Sequence, residues 1–219
     1  MTSGQAKIFI VDDHPLVREW LTNLIQTHSG FTVCGEAEDP AKAFKAISEN
    51  PPDLAIIDLS LGVTSGIDLI HSIRSALPNV AMIVLSMHDE QVYAERCIRA
   101  GARGYIMKRE TAKNVIQAIQ EVLGGNLYLS KRMTEILVQK VVSADSPNAP
   151  AIAQLSDREL QVFKLIGEGY EVNEIAKMLE VNAKTVHTYC TRIKEKIKVG
   201  TAAELSREAR RWHGAIPAG

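Results

Sequence analysis

The chain has 219 residues, of which 46% are hydrophobic and 23% charged, enough apolar content for one large folded domain or two small ones. Its net charge of −1 excludes an overall polycation, but the charge is unevenly spread. Residues 1–145 hold 14 basic against 17 acidic side chains, a net of −3, whereas residues 155–219 hold 11 against 9, a net of +2.

From the N-terminus, short apolar runs alternate with longer helical patterns. Strands are predicted at 8–11, 32–36, 54–57, 82–85 and 105–107, and helices near 15–28, 40–49, 66–76, 90–100 and 111–123. In the first helix Leu16, Trp20, Leu21, Leu24 and Ile25 fall on one apolar stripe. Such alternation predicts a parallel sheet with helices on both faces. Gly124-Gly125 ends the last of these helices, and a further helix is predicted near 130–142. The stretch SADSPNAPA (143–151) is nearly devoid of apolar residues and carries two prolines, the pattern of an exposed linker. From 155 onward everything is helical. The expected domains are therefore 1–124, a linker 125–154 containing one helix, and 155–219.

Three cysteines, Cys34, Cys97 and Cys190, lie far apart, which favours small buried thiols in a reducing cytoplasm over a disulfide framework. MTSGQAK has no apolar signal region, and no apolar run approaches the ~20 residues of a membrane span. No membrane association is expected.

The polar residues at the strand ends carry the chemistry. Asp12 and Asp13 follow the first strand, Asp58 the third, Ser86 the fourth and Lys108 the fifth. In an open parallel sheet the carboxyl ends of the strands share one edge, where ligands bind. Three carboxylates in one crevice repel each other unless a cation joins them, and an all-oxygen donor set suits Mg²⁺. Carboxylate, Mg²⁺, ammonium and hydroxyl together suit phosphoryl transfer onto a carboxylate. No glycine-rich phosphate loop is present, so a nucleotide-binding enzyme is not expected.

VDDHPLVRE (11–19), DLSL (58–61), Ser86 and GARGYIMK (101–108) resemble the receiver domains of two-component response regulators. The resemblance implies a flavodoxin-like fold with strand order 2-1-3-4-5. It implies Asp58 as acceptor of a phosphoryl group from a sensor histidine kinase. It also implies Mg²⁺ held by Asp12, Asp13, Asp58 and the Ser60 carbonyl, with Ser86 and Lys108 on the phosphoryl oxygens. Tyr105 matches the family's switch aromatic, turning inward when Ser86 is drawn toward the phosphoryl group. Two positions depart from the family pattern: Gly62 replaces a proline, which loosens the loop 59–65, and Arg109 follows the lysine. Ser60 and His88 stand where the family tunes dephosphorylation, although the plain expectation for His88 is a solvated loop side chain.

In the C-terminal part, Ser156 and Glu159 have capping-box spacing, and the helix they open is expected to reach Gly167. A second helix is expected over 172–180, then a turn at Val181-Asn182 with Asn182 as N-cap, and a third helix over 183–197. Val186, Cys190, Ile193 and Ile197 form its inner stripe, and His187, Thr188 and Thr191 its outer face. Basic charge is concentrated here, with Lys184, Arg192, Lys194, Lys196 and Lys198 against one acid, Glu195. Two helices joined by a tight turn suit a helix-turn-helix DNA reader.

LSDRELQVFKLIGEG (155–169), EIAKMLEVNAKTVHTY (174–189) and RIKEKI (192–197) resemble the LuxR/NarL-type DNA-binding domain. By that resemblance His187, Thr188 and Thr191 face base edges, Lys184, Thr185 and Arg192 contact phosphates, and the helix near 201–212 dimerises. His187 stands where the family often has lysine, Tyr189 where it often has histidine, and Glu171 where it has a serine cap. The joint reading is a cytoplasmic transcription regulator, not an enzyme. Its expected partners are double-stranded DNA, a sensor histidine kinase and, when phosphorylated, a second copy, with RNA polymerase a further candidate. The alternative is a phosphorylation-independent DNA-binding regulator with a vestigial receiver.

Overall fold

A computed structural model describes residues 4–61, 64–142 and 151–215. The chain forms two compact units, Met1–Val138 and Gln139–Gly219.

The first unit is built on five parallel strands: β1 (Ala6–Val11), β2 (Phe31–Ala37), β3 (Leu54–Ile57), β4 (Ala81–Ser86) and β5 (Gly104–Met107). Their order is β2-β1-β3-β4-β5, with Ile8 opposite Leu54, Leu54 opposite Ala81 and Ile83 opposite Gly104. The predicted strand order is thus observed. Helices α1 (Pro15–Gln26), α2 (Pro40–Glu49), α3 (Gly66–Ala76), α4 (Glu90–Ala100) and α5 (Ala112–Leu123) connect the strands or follow the last one.

Both faces of the sheet are covered, which is why β1, β3 and β4 are apolar nearly throughout. Ile8, Ile10, Leu54 and Ile56 pack against Leu21 and Ile25 of α1 and Ile116 and Ile119 of α5. Strand alternation turns Phe9, Val11, Ala55 and Ile57 to the opposite face, and all four are buried. The helix starts are set by local chemistry: Asp39 accepts from the Lys42 N–H at 2.8 Å ahead of Pro40, and Asp89 accepts from the Gln91 N–H at 2.9 Å.

Two features correct the sequence reading. The inner face of α1 carries Leu21 and Ile25, whereas Leu16 is 79% exposed and Trp20 39%. In addition, Ser60–Leu61 pairs antiparallel with Thr64–Ser65 in a two-residue hairpin. Gly62 lies outside the described residues.

Beyond α5 the chain does not leave the sheet at once. Tyr105 N–H donates to the Tyr128 carbonyl at 3.0 Å and Tyr128 N–H to the Arg103 carbonyl at 2.9 Å. Helix α6 (Lys131–Val142) follows, with Ser130 Oγ accepting from the Met133 N–H at 3.0 Å.

The second unit begins with a 3₁₀ turn at Ala151–Gln154, followed by α7 (Asp157–Glu168), α8 (Val172–Met178), α9 (Ala183–Ile197) and α10 (Ala202–Ala215). The capping box is present: Glu159 N–H donates to Ser156 Oγ at 3.3 Å and Ser156 N–H to Glu159 Oε2 at 2.7 Å. Gly169 closes α7 in the left-handed region at φ 98°. Helix α8 ends two residues earlier than expected, and the turn to α9 passes through Glu180 at φ 54°. Leu160, Phe163, Ile175, Val186, Ile193 and Leu205 are the buried centre, and Phe163 packs on Trp212 with ring centroids 5.8 Å apart. Among the described residues, no helix is long and apolar enough to cross a membrane.

Candidate functional site

The strand ends bring the expected acidic residues together. Asp12 leaves β1, Asp58 leaves β3, Ser86 closes β4, and Lys108 leaves β5. Backbone bonds fix these exits: Asp58 N–H donates to the Val11 carbonyl at 2.8 Å and Lys108 N–H to the Ser86 carbonyl at 2.8 Å. Residues up to 96 positions apart in sequence thus meet because parallel strands end together.

Lys108 Nζ lies 2.8 Å from Asp12 Oδ2 and 2.9 Å from Asp58 Oδ2. The two carboxylate side chains are only 2% exposed, and that of Lys108 is 11% exposed. Burial pushes the Asp58 carboxyl above the ordinary carboxylate range, although the Lys108 charge and hydrogen bond pull it back. Burial also pulls the Lys108 ammonium down, but Asp58 and Asp12 more than offset this and leave it above the usual lysine value. Each stays charged because the other is there. Asp58 Oδ1 accepts from the Leu59 N–H at 2.7 Å, and Asp12 Oδ1 from the His14 N–H at 2.9 Å.

Asp12, Asp13, Asp58 and His14 each present a ligand atom within 4.8 Å of the others. Their carboxylates fit a hard divalent cation, and a buried ammonium already sits among them as counter-charge. Sequence reasoning missed His14 as a member; the only signal was its place directly after the paired aspartates. It also missed Gly66, whose first side-chain carbon would lie 2.3 Å from the Asp58 carbonyl oxygen. Only glycine lets α3 start against the backbone of Asp58.

His88 is not the solvated loop residue expected. It is 5% exposed, stacks on Tyr93 with ring centroids 4.7 Å apart, and places Nε2 2.9 Å from Ser60 Oγ. Its N–H donates to Ser86 Oγ at 3.2 Å. The Tyr105 hydroxyl donates to the His88 carbonyl at 2.7 Å, with the ring 2% exposed. Burial holds that hydroxyl well above the ordinary tyrosine value, so it remains a donor. Tyr105, expected to turn inward on phosphorylation, is already inside.

In the second unit, Asn182 caps α9 by accepting from the Thr185 N–H at 2.8 Å and the Thr185 hydroxyl at 3.0 Å. Val186 and Ile193 of the expected stripe are fully buried, while Cys190 and Ile197 are half-buried. Lys184, His187, Thr188, Thr191 and Arg192 are exposed, and Thr185 is half-buried. Asn182, Lys184, Thr185, Thr188, Tyr189 and Arg192 line an open groove of about 330 Å³ along α9. The Thr188 and Thr191 hydroxyls donate to the carbonyls of Lys184 and His187 at 3.0 and 3.1 Å, leaving their oxygens free to accept. Lys196 Nζ reaches Glu159 Oε2 at 2.5 Å and ties α9 to the start of α7.

The family described as response regulator receiver domain matches residues 8–120, and bacterial regulatory proteins, luxR family, match residues 153–209. Over 205 residues the chain is 34% identical to the oxygen regulatory protein NreC of Staphylococcus carnosus, covering 91% of this chain and 94% of that one. It is 31% identical over 207 residues to the response regulator UvrY of Escherichia coli, covering 94% of each. Among solved structures it resembles RcsB from Salmonella enterica serovar Typhimurium, bound to promoter rprA in the presence of the phosphomimetic BeF3⁻. There the TM-score is 0.71 at 23% identity, covering 99% of this chain and 100% of that one.

Proposed function

The chain belongs to the response regulators of the NarL/LuxR type, DNA-binding transcription regulators with a receiver and a luxR-type domain, and we propose that Asp58 phosphorylation switches it. The observation that carries this reading is the Lys108 ammonium bridging Asp12 and Asp58 at 2.8 and 2.9 Å. In this reading the receiver is residues 1–124, the linker 125–154 and the DNA-binding domain 155–219. An Asp58 carboxylate oxygen attacks the phosphorus of a histidine kinase's phosphohistidine; a P–O bond forms as the P–N bond breaks, and histidine leaves. Asp12, Asp13, Asp58 and the Ser60 carbonyl would hold Mg²⁺, which supplies charge neutralisation at the phosphoryl oxygens. Lys108 gives up its bridge to Asp58 and pairs with the phosphoryl group, and Ser86 donates to it.

In the DNA-binding domain, His187, Thr188 and Thr191 read bases while Lys184, Thr185 and Arg192 hold phosphates. Phosphorylation favours a homodimer that sets two α9 helices ~34–36 Å apart on paired half-sites. The chain then works in the cytoplasm on double-stranded DNA, with RNA polymerase as a promoter partner. RcsB, solved on a promoter with a phosphomimetic, supports this order of events by likeness of fold.

One observation favours phosphorylation-independent binding: Tyr105 is already inside. A gel shift on genomic binding sites, with and without a small-molecule phosphodonor and Mg²⁺, separates the readings. The proposal expects tighter binding with the donor and no change for Asp58→Asn. Equal binding throughout supports the alternative.

A further inference from the structure

We propose that His14 is a ligand of the metal in the acidic pocket and makes it a site for first-row transition cations rather than for Mg²⁺ alone. This rests on the metal-site reading above. His14 Nδ1 lies 2.6 Å from Asp13 Oδ1 and 3.3 Å from Asp12 Oδ1. Neighbouring ligands of an octahedral ion with bonds of ~2.1 Å stand ~3 Å apart. The imidazole nitrogen is therefore already at ligand spacing from two carboxylate oxygens, and within 4.8 Å of a ligand atom on Asp58.

The two sides of the pocket differ in chemistry. Lys108 occupies the Oδ2 side of Asp12 and Asp58, while His14 stands on the Oδ1 side of Asp12. A cation entering from the His14 side meets oxygens and one nitrogen without first displacing the ammonium. Mg²⁺ gains little from an imidazole, whereas Mn²⁺, Fe²⁺, Co²⁺ and Ni²⁺ accept nitrogen with rising affinity along that series. With its proton on Nε2, His14 presents the Nδ1 lone pair to the ion. The backbone holds the residue in place: His14 N–H donates to Asp12 Oδ1 at 2.9 Å, and its carbonyl accepts from the Val17 and Arg18 N–H groups that open α1. The side chain is half exposed, so hydrated ions reach it from solvent.

The test uses the full chain and three probes, MgCl2, MnCl2 and CoCl2, titrated by calorimetry into wild type, His14→Asn and Asp13→Asn. Asparagine is a good N-cap, so the start of α1 survives the change. The expected result is a Co²⁺-to-Mg²⁺ affinity ratio that falls at least about tenfold in His14→Asn, while Mg²⁺ affinity moves by less than about threefold. Pulsed electron resonance of the Mn²⁺ complex is expected to show a directly bound nitrogen in wild type and none in His14→Asn. An unchanged ratio together with normal Mg²⁺ binding overturns His14 ligation and leaves the oxygen site intact. Divalent binding that persists undiminished in Asp13→Asn, or is absent from wild type, overturns the metal-site reading itself.

Discussion

Lys108→Ala tests the electrostatics of the pocket most directly. The ammonium is within 2.9 Å of two carboxylates whose side chains are 2% exposed, so its removal leaves buried like charges without a partner. Breaking a buried ion pair costs ~3–5 kcal/mol, and the lower end applies because Lys108 keeps some solvent contact. A domain stability of ~5–15 kcal/mol survives such a loss. With a urea slope of ~1–3 kcal/mol/M, the midpoint in chelator should fall by ~1–2 M. A divalent cation can replace the missing charge. Mg²⁺ at a hundred times its dissociation constant contributes ~2.7 kcal/mol, so it should restore most of the loss. The Mg²⁺-induced shift should also be larger in the variant than in wild type, where ammonium and metal repel.

The pH dependence follows from Asp58, whose folded pKa lies above its ordinary value of 3.8 through burial. A raised carboxyl pKa means that ionisation opposes folding: the penalty is present above the folded pKa and vanishes as pH falls toward the ordinary value. Without Lys108 the folded pKa rises further, so mild acid should narrow the gap between variant and wild type. Equal urea midpoints in chelator, or identical Mg²⁺ shifts in both proteins, would refute the reasoning.

Three further outcomes are expected. Gly167→Ala should lower the stability of the second unit by ~1–2 kcal/mol, because the new methyl would lie 2.5 Å from the Ala209 carbonyl oxygen and overpacking outweighs the ~0.5–1 kcal/mol helix gain; Trp212 fluorescence in a Trp20→Phe background reads it. Glu159→Gln should flatten the acid limb of that unit. Burial pushes the Glu159 carboxyl up, but Lys196 and Ser156 pull it below the ordinary 4.5, so it stabilises above pH 4.5 and loses this as pH falls through its folded value; urea midpoints across that range check it. Lys184→Ala should weaken binding to all DNA sequences about equally and reduce the log–log salt slope by about one, measured by fluorescence anisotropy.

Most of the architecture was legible because burial on both faces writes itself as unbroken apolar runs. Leu54–Ile57 is four buried residues ending at an aspartate, and that boundary alone put Asp58 at the sheet's carboxyl edge. Capping was equally legible at Ser156 and Asn182, where a side chain answers a backbone N–H only three residues away. What stayed hidden depended on partners remote in sequence. His88 meets Ser60 across 28 residues, and no local pattern announces that. On α1, Leu16 and Trp20 sit one residue, or 100°, off the line through Leu21 and Ile25, so periodicity alone could not choose the edge of the stripe. Tyr128 joins the sheet edge through backbone atoms, which carry no side-chain signature.

Those backbone and side-chain ties join the acidic pocket to the start of α6. Ser86 Oγ accepts from His88 N–H, and the His88 carbonyl accepts from Tyr105 Oη–H. Tyr105 N–H in turn donates to the Tyr128 carbonyl, two residues before the Ser130 cap. From the other side, Ser130 Oγ donates to Glu90 Oε1 at 2.8 Å, at the first residue of α4 and two beyond His88. The segment 86–90 therefore reaches the opening of α6 twice, once through the Tyr105 strand and once through Glu90. A displacement of Ser86 toward a phosphoryl group must stretch the first of these links or carry Tyr105 with it, because the buried hydroxyl has lost its exchange with water. Segments 40 residues apart in sequence are thus held to one rigid frame, and α6 takes its origin from that frame.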